Sequence, residues 1–453
     1  MFETLKNAFK VKEIRHKIYW TLLFLLIYRL GCYIPVPGIG TQLISDTDLQ
    51  SSYLSIMSMM TGGSLANGTL FAMGIGPYIN ASIIMQLLAV AIPPLERLSK
   101  QGEEGRKKIA SLTRYLTIGL AVLQSIGILV SYGALATGGS TGDIPTLSAI
   151  IAGGYENAQG NKFVNFLSYV IIVLFYTAGT CMTMWIGERI TDYGVSNGIS
   201  LLIFAGIIAS AGIFITQQFS LIFLQDTGLN REALLYFVLY LIIVVVVFAA
   251  IVFVDLAERK IQVQYAKQVK GRKMYGGQST VIPIKVNANG VMPLIFAFSL
   301  LTFPELIMTL FGADKALAWW GTWLGSTSRY PFYAIILCVF IVFFAFFYSQ
   351  IQFNPEDISK TIQQNGGFIP GIRPGKPTAE HLKKISNRLT LFGAIFLALL
   401  ALIPTVILNA IPTITNGGAF NATGMLICVS VALEFNTALE SQIMMKNYKG
   451  FLK

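Results

Sequence analysis

Side chains able to do bond chemistry are scarce in this chain of 453 residues: two histidines, His16 and His381, and four cysteines, Cys32, Cys181, Cys338 and Cys428. Both histidines fall in hydrophilic stretches. The cysteines fall in or at the end of apolar stretches, and no pair has metal or redox spacing, so they read as small packing residues. Arg29, Glu305 and Glu434 are charges close to apolar stretches, and each reads as locally paired or interfacial. A proton relay would need carboxylates or histidines inside the membrane. An intramembrane protease would need a nucleophile beside a base. No phosphate-binding Walker loop occurs. The inventory argues against an enzyme and against ion-coupled transport, and it implies no cofactor, no metal site and no direct nucleotide binding.

The residues that remain must be placed by elements that cross a bilayer. The chain is 54% hydrophobic and only 12% charged, against about 25% charged in soluble domains. Ten stretches can each span a bilayer, which takes ~20 apolar residues. They lie near 18–34, 71–92, 113–133, 165–186, 199–215, 232–254, 291–311, 331–349, 389–410 and 421–439. The fold class expected is therefore all-α and polytopic. Most of the 33 Lys and Arg residues fall at the two termini and in the loops after spans 2, 4, 6 and 8, while the opposite loops hold Lys162, Arg231, Lys315 and Arg329. The positive-inside rule puts both termini and the basic loops in the cytoplasm. The first apolar stretch runs into Ile34-Pro35-Val36-Pro37-Gly38 without a small-residue cleavage site, so it reads as a retained span.

Two spans are broken. Span 2 is interrupted at Gly74-Ile75-Gly76-Pro77, and span 7 begins at Asn287-Ala288-Asn289-Gly290-Val291-Met292-Pro293. Unpaired backbone at membrane depth is tolerated only inside protein or beside a water-filled cavity. The breaks are the second members of two five-span halves of opposite topology, 18–215 and 232–439, joined by an outside loop at 216–231. Matching interruptions in inverted halves point to a central pathway. With no charge available to line it, the candidate lining is apolar: Ile75 and Ile79 in span 2, Ile199 and Ile203 in span 5, Met292 in span 7 and Ile427 in span 10. Such a constriction can close by dewetting. Short termini, 1–17 and 440–453, flank the halves, and two long loops, 255–290 and 351–388, face the cytoplasm. In the first, Lys260, Gln262 and Gln264 alternate with Ile261, Val263 and Tyr265, predicting a hairpin with its turn at Gly276-Gly277 and a return strand over Val281–Val286. The second holds a rigid, turn-rich run from Gly366 to Gly375. Long ordered loops commonly carry function, and a ribosome or a motor would fit them.

Seven stretches together resemble the SecY family: RLGCYIPVPGI (29–39), FAMGIGPYINASIIMQLL (71–88), GEEGRKKI (102–109), MWIGERITDYGVSNGISLLIFAGI (184–207), VQYAKQ (263–268), PIKVNANGVMPLIFA (283–297) and NGGFIPGIRPGKPTAEHL (365–382). The resemblance implies ten helices in two inverted five-helix halves around a central pore of the bacterial cytoplasmic membrane. It implies a pore ring of Ile75, Ile79, Ile199, Ile203, Met292 and Ile427. It implies a plug at about 55–67, a lateral gate between spans 2 and 3 and spans 7 and 8 with Asn80, Gln86 and Phe296 near its seam, and docking through Arg259, Lys260 and Arg373. Glu258 precedes the basic pair here. Implied partners are SecE-like and SecG-like small membrane subunits, a SecA-like ATPase motor, the ribosome, secretory preproteins with their signal sequences, and membrane lipids. The implied activity is passage of unfolded polypeptides across the membrane and lateral release of apolar segments into it. The alternative that the broken helices alone allow is an inverted-repeat transporter of a small solute, with Asn80, Gln86 and Asn197 as its polar site.

Overall fold

Runs of Leu, Ile, Val and Phe too long for a soluble core form long helices, because helices satisfy their backbone internally. The computed structural model describes residues 2–37, 58, 60–65, 67–131, 162–223, 231–265, 268–270, 273–275, 279–287, 290–310, 319–320, 323, 332–409 and 422–450. In chain order the elements are α1 (Phe2–Lys10), α2 (Lys12–Gly31), α3 (Gly76–Ala91), α4 (Pro93–Lys100), α5 (Glu103–Ser131), α6 (Lys162–Tyr193), α7 (Gly198–Phe223), α8 (Arg231–Asp255), β1 (Glu258–Tyr265), β2 (Gln268–Lys270), β3 (Lys273–Tyr275), β4 (Ser279–Lys285), α9 (Met292–Leu310), α10 (Phe332–Gln352), α11 (Pro355–Gln364), β5 (Gly367–Phe368), α12 (Lys376–Asn409) and α13 (Ala422–Gly450).

Among the described residues seven helices are long and apolar enough to cross a membrane, and α3 joined to α4 across a 106° bend makes an eighth. The bend follows from Pro93 and Pro94, which cannot continue the hydrogen-bond ladder and force Ile92 into extended backbone (φ −109°, ψ 112°). The other two expected spans fall on α2, whose first turns are charged, and on α9, whose apolar helix Met292–Leu301 is short.

The chain divides into two units, residues 1–237 with 299–333 and 412–453, and residues 238–298 with 334–411. In the first, Val36, Leu65, Met73, Ile128, Ile172 and Tyr176 form a buried core. A second cluster packs Ala8, Ile14, Ile18 and Val195 against Leu439 of α13. Helix α7 runs eight residues past the span end expected at 215, because Phe219 meets the Phe237 ring at 5.6 Å and Ile222 is buried with Phe237.

In the second unit the two long loops fold into one sheet. Strand β1 pairs antiparallel with β4 from Glu258↔Lys285 to Gln264↔Ser279, and with β5 at Gln264↔Phe368 and Tyr265↔Gly367. The order is β4-β1-β5, so the central strand binds both loops. Ile261, Val263, Ile284, Ile362, Ile369 and Leu382 are buried beneath it. The alternation read from sequence holds: Ile261 and Val263 are buried while Lys260, Gln262 and Gln264 are exposed. The turn does not hold. Lys270 pairs with Lys273, so the chain reverses before Gly276-Gly277, which lie outside the described residues.

Candidate functional site

The backbone before α3 is folded turn by turn. Ser58, Met60 and Thr61 are helical, then turns run from Gly62 to Ile75. Most of the segment expected as a helical plug lies outside the described residues, and its end is a chain of turns rather than a half-helix. The turns close through local hydrogen bonds, Ser64 Oγ to Thr61 O (2.8 Å) and Thr69 Oγ1 to Ser64 O (3.1 Å). They are strapped to the end of α2 by Val36 N to Gly68 O (3.0 Å) and Leu70 N to Ile34 O (2.8 Å). Gly74 stands at φ +51°, where a Cβ would lie 2.7 Å from Thr61 Cγ2, so both conformation and space require glycine. Its carbonyl accepts from Thr183 Oγ1 of α6 (3.0 Å), which satisfies a backbone group that the break would otherwise leave unpaired.

The segment is seated on helix faces that lack side chains. A Cβ on Gly206 of α7 would lie 2.0 Å from the Met60 carbonyl oxygen, and one on Gly179 of α6 would lie 1.9 Å from that of Leu70. Close backbone approach through small residues is a common way for membrane helices to pack.

Helix α3 starts where this seat ends. Ile75 precedes its first residue, and Ile79 N donates to Ile75 O (3.0 Å), stacking the two isoleucines on successive turns. On α7, Ile199 and Ile203 are likewise one turn apart. Ile75 and Ile203 share a recess with Tyr28, Met60, Thr61, Met73, Gly76 and Leu202. Its free volume is about 10 Å³, at the limit of what one water molecule needs. Two expected ring residues therefore meet each other and the tip of the preceding segment in an almost dry contact. Ile79 and Ile199 are half-buried, and Ile427 of α13 is buried. Met292 is half-buried at the first position of α9, in the other unit.

The residues expected at the lateral gate are divided between the units. Asn80 and Gln86 lie on α3 of the first, both half-buried, and Gln86 Nε2 donates to Ser82 Oγ (3.3 Å). Phe296 lies on α9 of the second, buried edge-on against Phe344 (5.7 Å) and Tyr348 (5.8 Å). The expected docking residues share the second unit and are all exposed. Arg259 and Lys260 are neighbours on β1 and so point to opposite faces of the sheet. Lys260 Nζ is 3.2 Å from Glu258 Oε1, an exposed pair of small energetic weight. Arg373 sits in the turn after β5, where Thr378 Oγ1 donates to its carbonyl (2.8 Å) and Ser359 Oγ to that of Gly375 (2.7 Å).

Sequence reasoning missed Met60, Thr61, Tyr28 and Gly206. The spacing of Gly206 and Ser210 on α7 is the small-xxx-small pattern of close helix contacts, and it could have marked the seat. It also missed that Asn197 is occupied: its Oδ1 accepts from Ile199 N (3.1 Å), capping α7.

The SecY family model matches residues 69–436. The protein translocase subunit SecY of Streptomyces griseus is 42% identical, with all of both chains covered. Among solved structures, a protein-conducting channel shares the fold at a TM-score of 0.66 and 20% identity, covering 94% of this chain and 92% of that one. Canine Sec61, solved in a ribosome–channel complex, matches at 0.61 and 19%, covering 94% and 92%. The ten-helix, two-half architecture agrees with these neighbours. The solute-transporter alternative is not supported: the relatives are protein translocases, Asn197 serves as a helix cap, and Gln86 is bonded along its own helix. A nearly dry isoleucine contact beside a broken span, in a multi-pass membrane chain without catalytic side chains, matches what full-length relatives are named for, and the chain belongs to the SecY family of protein-translocation channels.

Proposed function

We propose that this chain is the pore-forming subunit through which unfolded secretory polypeptides cross the bacterial cytoplasmic membrane, with both termini cytoplasmic. The observation that carries the reading is the recess in which Ile75 and Ile203 close on Met60 and Thr61 with about 10 Å³ free. An ion entering such a contact would lose its hydration shell and gain no replacement, which is expensive. A polypeptide brings its own side chains and backbone, and apolar ring residues can yield around it. Ile75, Ile79, Ile199, Ile203, Met292 and Ile427 form the ring in this reading. The turns ending at Gly74 are the plug, held by hydrogen bonds and glycine seats rather than by large apolar contacts, which suits a part that must leave.

A gate beside Asn80, Gln86 and Phe296 releases apolar segments into lipid. There each Leu, Ile, Phe or Val favours insertion by ~0.3–0.6 kcal/mol and a central Lys, Arg or Asp opposes it by ~3 kcal/mol. Direction comes from partners docking on the sheet of the two long loops, with Arg259, Lys260 and Arg373 as contacts. These are a SecA-like motor or a ribosome, the latter by analogy with the canine ribosome–channel complex. SecE-like and SecG-like subunits complete the assembly. Photocrosslinking from a probe at Ile79, with a secretory protein stalled in mid-export, tests the reading. A crosslink that depends on the stalled chain is expected. Its absence with a folded, inserted probe protein would remove Ile79 from the path.

A further inference from the structure

On the face that carries the basic loops, α2 and α6 diverge around a cleft of about 1130 Å³ that the channel reading does not use. Its walls are cationic and aromatic. Lys12, Arg15, His16 and Lys17 come from the first turns of α2, and Arg189 from the last turns of α6. Glu13 and Asp192 also line it, so the cleft keeps an excess of two positive charges with His16 neutral.

The cations are held on a built aromatic floor. Trp20 Nε1 donates to His16 Nε2 (2.9 Å), which leaves Nδ1 of His16 as the protonated, donating nitrogen. Trp20 stacks on Phe24 (5.6 Å) and approaches Tyr193 (6.4 Å). The Arg189 guanidinium lies over both Trp185 (5.5 Å) and Tyr193 (5.7 Å), one turn to either side. Asp192 is 3.9 Å from Arg189 at an exposed position, a contact long enough to leave most guanidinium donors free.

Depth selects the ligand. On α2 the charged turns give way to apolar sequence at Tyr19-Trp20, and on α6 the change falls between Trp185 and Arg189. Tryptophan and tyrosine concentrate at the headgroup level of a bilayer. Directly on the membrane side of the cleft, Leu22, Leu23 and Leu26 of α2 and Met182 of α6 are exposed, an apolar wall suited to acyl chains. Phe9 of the short amphipathic helix α1 packs on Tyr19 (6.5 Å) at the same level. A free phosphate would use only the cations, and an acidic protein segment would leave the apolar wall bare.

We propose that this cleft is a binding site for the phosphate-bearing headgroup of an anionic phospholipid, with Arg189, Arg15 and Lys12 on the phosphate and the exposed leucines of α2 along the acyl chains. The inference needs only that the chain spans a membrane, so its failure leaves the channel reading untouched. Native mass spectrometry of the intact channel complex, given phosphatidylglycerol or phosphatidylcholine of identical chains, tests it. Phosphatidylglycerol is expected to be retained and phosphatidylcholine lost. Removing a cation by Arg189→Gln or Arg15→Gln should weaken retention about fivefold each, with Arg189→Lys restoring part of the loss. Excess inorganic phosphate should not compete. On the unaltered protein, brominated phosphatidylglycerol should quench tryptophan fluorescence more than brominated phosphatidylcholine, and Trp20→Phe with Trp185→Phe should abolish the difference. Equal retention of the two lipids, unchanged retention by both glutamine variants, displacement by inorganic phosphate, or equal quenching would each overturn the proposal.

Discussion

At the scale of single residues, the contact among Ile75, Ile203, Met60 and Thr61 concentrates the seal in a few side chains. Ile203→Ser puts a hydroxyl into a nearly dry recess and removes most of a buried side chain. Planar-bilayer conductance of the resting channel should rise severalfold, and an unchanged conductance would take Ile203 out of the seal. Gly206→Leu acts from behind. Its side chain would have to occupy the place of the Met60 carbonyl, 2.0 Å from where the Cβ stands, so the segment at 60–62 must lift from α7. Raised resting conductance with normal insertion is expected, whereas a tight channel would show that the seat is dispensable. The isoleucines were legible in sequence because they flank visible helix breakers. Met60 and Gly206 were not, since their meeting depends on a tertiary approach that no local spacing encodes.

At the scale of elements, the sheet of the two long loops stands on a small core of its own. Leu382 of α12 is fully buried there with Ile261, Val263 and Ile362. Leu382→Ala should cost the subdomain about 2–5 kcal/mol, seen as faster proteolysis within 258–285 at unchanged membrane insertion. Cleavage no faster than in the parent would mean that the sheet is held by something other than this core. Strands β1 and β4 were legible because one buried face imposes a period of two. Strand β5 was not, since the two residues Gly367 and Phe368 carry no period, and their pairing with β1 joins loops about a hundred positions apart. The tip of the hairpin was misplaced for a related reason. Gly276-Gly277 is the stronger local turn signal, yet the extra pair β2–β3 moves the reversal to an earlier point.

At the scale of the whole molecule, the count of spans and the asymmetry of charge were legible because a bilayer imposes length and sign directly on sequence. Division of labour between the units was less so. The expected docking residues lie wholly in the second unit, while the dry isoleucine contact lies in the first. Arg373→Glu should therefore abolish motor-driven export and leave resting conductance at its parental value. Export at the parental rate, or a leak appearing with the variant, would break that separation. The central position of β1 adds a mechanical consequence. It follows α8 directly, and β5 lies between α10 and α12. A partner that pulls on either loop loads the same strand. Seven paired positions join β1 to β4 but only two join it to β5, so the β1–β5 seam is the fuse of the assembly. It parts first under load, uncoupling α10 and α12 from the hairpin before the hairpin itself tears.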